Sequence, residues 1–126
     1  MALFRFRFRS AARDLKSDQD RISSIRSAIH TSIASAEFEL SGLSKRLNEA
    51  VAEAAAAYDA ADESHSAREA QQEKQIASAE SRLVAAQARS TMLRHFIAKL
   101  RDLEHVLNSE FREIEAAVPP VGPDPA

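Results

Sequence analysis

The chain has 126 residues, a net charge of −2, no Cys, no Trp, two Gly and 29% charged side chains. That length suits one domain, and the lack of Cys excludes a disulfide framework, a thiolate metal site and a thiol nucleophile. Ala, Ser, Glu, Arg and Leu dominate, which points to long helices and away from a compact globule with many turns and an aromatic core.

The first element, residues 1–10, reads MALFRFRFRS. Through residue 16 there are five basic residues against one acidic, and the remainder carries 12 basic and 18 acidic. The start is basic and the body is acidic. Read as a strand, Phe4, Phe6 and Phe8 share one side and Arg5, Arg7 and Arg9 the other. Read as a helix, Arg5, Arg9 and Arg13 align at four-residue spacing, but Phe6 and Arg7 fit poorly. Strict alternation favours the strand or an extended arm.

Four roles compete for this arm. It could hold a dimer together, or lie on an anionic membrane surface through Arg attraction and Phe insertion. It could touch nucleic-acid phosphates, although an acidic body disfavours a long nucleic-acid footprint. It could be a short organelle transit signal. The Arg residues interrupt any secretory-signal core, and no apolar run has the length of a transmembrane helix, so the expected location is cytoplasmic.

A helix is predicted from about residue 10 to 61. Apolar or small residues recur at Ile22, Ile25, Ile29, Ile33, Ala36, Leu40, Leu43, Leu47, Val51, Ala54, Tyr58 and Ala61 in steps of three or four. This is the stripe of a coiled coil, with two small stutters where steps of four follow one another. Gly42 lies inside it, as a tolerated Gly, a bend or a close contact. Phe38 points away from it and is a lone surface residue or a contact.

The stripe lapses in DESHSAREAQQEKQ. A turn near residues 62–66 fits, with Ser66 to Glu69 matching a capping box. The competing reading is a single continuous rod, and the absence of Gly and Pro from the turn supports it. Folding at about residue 64 brings Ile22 to Val106, Ile25 to Leu103, Ile33 beside Phe96 and Ala36 to Met92. Large residues then oppose large ones, which favours the hairpin.

A second helix is predicted from about 66 to 118, on Ile76, Ala79, Leu83, Ala86, Ser90, Leu93, Ile97, Leu100, Leu103, Leu107, Phe111, Ile114 and Val118. From Met92 to Ile114 the apolar residues cover more than one face, because Phe96 and Ile97, like Val106 and Leu107, are neighbours about 100° apart. One partner helix cannot cover that breadth. The tail, 119–126, carries all four Pro and is predicted to be extended and disordered.

No chemistry-bearing constellation emerges. His30, His65, His95 and His105 lie at no ligand spacing, and Glu-x-x-His pairs are absent. Same-sign pairs such as Glu49 with Glu53 and Glu69 with Glu73 read as solvated faces. The abundant Ser residues sit in no GxSxG turn, and two Gly cannot make a phosphate-cradling loop. The expectation is no enzyme, no cofactor and no metal.

The basic, Phe-containing start followed by a long α-hairpin resembles, in layout, the small rod-shaped export proteins of flagellar and type III secretion systems. No motif carries the resemblance, and no functional residue transfers through it. It implies a rod-shaped accessory of a secretion apparatus.

The expected fold is therefore all-α, a long antiparallel two-helix coiled-coil hairpin over residues 11–118 that dimerises into a four-helix bundle. The expected function is a scaffold or adaptor working by helix–helix contact, with a peripheral membrane-surface binder as the alternative. Candidate interaction residues are Phe4, Arg5, Phe6, Arg7, Phe8 and Arg9 in the arm, and Met92, Phe96, Leu100, Leu103, Leu107 and Phe111 on the second helix.

Overall fold

The computed structural model describes residues 10–61 and 66–119, and from 60 to 68 only the backbone of the helical residues. Three helices follow in order: α1 (Ala11–Ala61), α2 (Ser66–Glu110) and the short α3 (Arg112–Ala116). The long helices α1 and α2 pack against each other. The expected turn lies outside the described residues apart from Ser66, and so do the arm residues Phe4 to Arg9 and the tail beyond Pro119.

Helix α1 starts where a cap is available. The Ser10 hydroxyl accepts a hydrogen bond from the Arg13 amide at 3.1 Å, and the Ser10 carbonyl accepts from the Asp14 amide at 3.2 Å. A Ser at this position satisfies one of the four orphan amides of a helix start. Asp14 adds a negative charge in the first turn, where the helix dipole favours it.

The far end departs from expectation. Instead of running unbroken to 118, the second helix stops at Glu110. Phe111 adopts φ −109 and ψ 17, and a five-residue helix resumes at Arg112. The Phe111 amide still donates to the Leu107 carbonyl at 3.1 Å, and the Glu115 amide to Phe111 at 3.0 Å, so the break is a hinge in the helix path with few bonds lost. Ala117 is extended, with ψ 134. Pro119 explains the stop, because its ring disfavours helical geometry in the preceding residue.

Burial along α1 follows Ile22, Arg26, Ile29, Ile33, Ala36, Leu40, Leu43, Leu47, Ala50, Ala54 and Ala57, in strictly alternating steps of four and three. This corrects the expected stripe at three places. Ile25, Val51 and Tyr58 are each about half exposed, and Arg26, Ala50 and Ala57 take the inward positions. The expected stutters vanish with them. Alternating threes and fours average 3.5, which keeps the seam on the neighbouring helix, whereas consecutive fours drift off it.

On α2 the inward residues are Ile76, Ala79, Leu83, Ala86, Ser90, Leu93, Ile97, Leu100, Glu104 and Leu107. Glu104 replaces the expected Leu103. The expected cross-pairs shift too: Leu107, Leu93 and Ile97 are buried, while Val106, Met92 and Phe96 are exposed. A shift of one residue turns a helix by about 100°, which suffices to exchange inside for outside.

The molecule divides into two compact units, one joining Met1–Ser32 to Leu100–Ala126 and the other formed by Ile33–Lys99. In the first, Ile22 and Leu107 are buried. Polar contacts surround them. Arg26 donates to the Asn108 side-chain oxygen at 2.8 and 3.1 Å and pairs with Glu115, and His30 Nε2 lies 2.6 Å from Glu104. Gln19 donates its side-chain amide to the carbonyls of Ile114 and Ala117 at 2.9 and 3.1 Å, capping the end of α3 from across the helix pair.

The second unit is a helical hairpin. Ala36, Leu43, Leu93 and Ile97 form its buried cluster, with Ile33, Leu40 and Ala86 packed against it. Arg89 grips both oxygens of Glu39 at 3.0 and 3.1 Å, and Arg82 pairs with Glu53. Exposed ion pairs contribute only about 0–1 kcal/mol each, so burial of the cluster outweighs them. Their placement fixes the orientation: Glu39, Glu53, Arg82 and Arg89 all occupy the heptad position just before the seam, where antiparallel helices meet side by side.

Candidate functional site

The seam leaves large apolar residues uncovered beside it. In the second unit Met92 and Phe96 are 62% and 51% exposed, and in the first Leu103 and Val106 are 56% and 53% exposed. On α2 they stand at 92, 96, 103 and 106, with Lys99 between, in alternating steps of four and three. That is a second heptad row on the same helix, turned about 100° from the buried seam. On α1, in the first unit, Ile25 occupies the equivalent flanking position and is also half exposed.

The expected contact set divides on this geometry. Met92, Phe96 and Leu103 lie on the uncovered row. Leu107 is buried in the seam and Leu100 is half-buried, so neither is free to meet a partner. Phe111 sits at the hinge between α2 and α3, 36% exposed. Val106 and Ile25, outside the expected set, are exposed beside the seam as well. The sequence signal for them was present as the adjacent pair Val106-Leu107 and the crowded Ile22, Ile25, Ile29 run, but not which member of each turns inward. Phe38 is 83% exposed and stands apart from the row.

Among the described residues, no group of three or more His, Asp or Glu is placed to hold a metal ion, and no helix is long and apolar enough to cross a membrane. A shallow groove near the Ala-rich end of the second unit is lined by Ala56, Ala57, Ser78, Glu53 and Arg82. It exists because Ala side chains leave space, and two of its charged groups, Glu53 and Arg82, pair with each other.

Two exposed groups are perturbed by their neighbours. The Tyr58 hydroxyl donates to Glu80 at 3.0 Å, and that bond, reinforced by the Glu80 charge, holds the phenol above its ordinary value. Glu39 raises Arg89 in the same way, by hydrogen bonding first and charge second. Both shifts favour the forms already present at neutral pH, so neither creates a general acid or base.

No protein-family model, curated protein or solved structure matches the chain.

Proposed function

We propose that the chain is a non-enzymatic coiled-coil scaffold or adaptor that acts by helix–helix contact and associates with itself through the outer row of α2. The observation that carries this reading is the uncovered row itself: Met92, Phe96, Leu103 and Val106 are all more than half exposed on one helix at heptad spacing. Scattered apolar residues on a surface need no explanation, but a periodic row of four is the pattern by which a helix buries a face against another helix. Two copies meeting on it would make a four-helix bundle, the ordinary way for helix pairs to complete their cores.

Sedimentation equilibrium of the wild type and of a Phe96→Asp, Leu103→Asp double variant tests the proposal. Both positions lie off the buried seam, so far-ultraviolet circular dichroism should stay helical while the dimer is lost, because carboxylates buried without partners are strongly unfavourable. A well-folded wild type that sediments as a monomer at tens of micromolar (on the order of the concentrations at which such interfaces persist) overturns it.

A further inference from the structure

The outer row of α2 has an end-to-end symmetry. Extended by one position each way it reads Arg89, Met92, Phe96, Lys99, Leu103, Val106, Glu110, in steps of three, four, three, four, three and four. Its middle is Lys99, two apolar residues lie on each side, and the two ends carry opposite charges. All seven belong to the single helix α2, and Arg89 remains about half exposed while bound to Glu39.

We infer that two copies of the chain pair antiparallel along this row, about a two-fold axis at Lys99; the inference rests on the self-association proposed above and specifies its direction. In that alignment Met92 of each copy meets Val106 of the other, and Phe96 comes within one residue's rise, about 1.5 Å along the axis, of Leu103. Arg89 meets Glu110 at both ends, so Glu110 of the second copy joins the Glu39–Arg89 pair. The parallel alignment sets Arg89 against Arg89 and Glu110 against Glu110, two like-charge contacts where the antiparallel one has two attractive ones. Lys99 faces its own copy in either direction and so does not choose between them. Asp102 of the other copy lies three residues along from Lys99 in either direction as well, so the choice of direction rests on the Arg89 and Glu110 ends. A closed two-fold arrangement of this kind also uses the same patch on both partners and leaves no open row for a third copy.

The chain has no Cys of its own, so introduced ones report the direction. Three full-length variants are made: Lys99→Cys, Met92→Cys and Val106→Cys. Each is oxidised at the concentration where the wild type sediments as a dimer. A disulfide needs the two backbones within about 7 Å. The axis places the two Lys99 sites together, while 14 residues separate 92 from 106, about 21 Å along a helix. The expected result is a covalent dimer for Lys99→Cys and its loss for Met92→Cys alone and for Val106→Cys alone. It returns when Met92→Cys is mixed with a mass-tagged Val106→Cys, as the mixed species. Self-linking by Met92→Cys overturns the antiparallel inference and leaves self-association standing. So does failure of Lys99→Cys to link in a chain that still sediments as a dimer, because the dimer then forms elsewhere. A monomeric wild type overturns both.

Discussion

Gln19 and Ile114 lie 95 residues apart in the chain, yet the Gln19 side-chain amide donates to the Ile114 carbonyl at 2.9 Å and to Ala117 at 3.1 Å. The last carbonyls of a helix are short of partners within it, and the Ile114 carbonyl otherwise accepts from the Ala117 amide at 3.3 Å. One side chain from α1 supplies two at once, which ties α3 down beyond the hinge at Phe111. Each such bond contributes about 0.5–1.5 kcal/mol. Gln19→Ala should therefore lower stability by about 1–2 kcal/mol and raise amide hydrogen exchange at residues 114–117 well before it affects Leu93 or Ile97. Uniform protection in the variant would show that α3 is held by other means.

Ser90 occupies an inward position on α2, 3% exposed, and its hydroxyl has no hydrogen-bond partner in the protein. An unsatisfied buried polar group costs about 1–3 kcal/mol. Ala fits the same space without that cost and is the better helix former. Ser90→Ala should raise stability by about 1 kcal/mol in urea denaturation, with an unchanged slope. Leu93→Ala, three residues on in the buried cluster, should lower it by about 2–5 kcal/mol.

Gly42 is neither a bend nor a close contact. A Cβ built on it meets nothing within 4 Å, and its φ is not positive. The residue then contributes only flexibility to the unfolded chain. Gly42→Ala should stabilise the protein by about 1 kcal/mol with no change in its sedimentation. A loss of stability would show that something covers this face.

Tyr58 is the chain's only Tyr, and there is no Trp, so absorbance at the tyrosinate band reports this one side chain. Glu80 raises its folded pKa. The sign follows: the contact supports the fold below the unfolded phenol value of about 10 and loses that support as pH rises through the folded value. The tyrosinate midpoint should lie above that of the urea-unfolded chain. Glu80→Gln should bring it down, because the charge is removed even if the hydrogen bond persists. Coincident midpoints in the wild type would show that the Tyr58–Glu80 bond is not held in solution.

The sequence by itself determined the helices. Apolar spacing of three and four, scarce Gly and a terminal run of Pro left the backbone no other regular structure, and the all-α reading with two long helices is what the structure has. Steps of three or four are a property of one helix and need no partner to be read. The sequence did not decide which neighbour of each apolar pair turns inward. At 25 and 26, 50 and 51, 57 and 58, and 103 and 104, large apolar side chains favoured Ile25, Val51, Tyr58 and Leu103, and the structure turns the other member inward each time, with Ala50 and Ala57 buried and Arg26 and Glu104 half-buried. The reason is that a seam is a relation between two helices. Its row must stay in phase with the opposite one over many turns, and keeping Ala36, Leu43, Leu93 and Ile97 in contact is worth more than burying any one larger residue off phase. Only when α1 and α2 were packed together did the residues left outside resolve into a row, with Met92, Phe96, Leu103 and Val106 on it and Leu107 not, because a rotation of about 100° per residue makes adjacent positions differ completely in what they can touch.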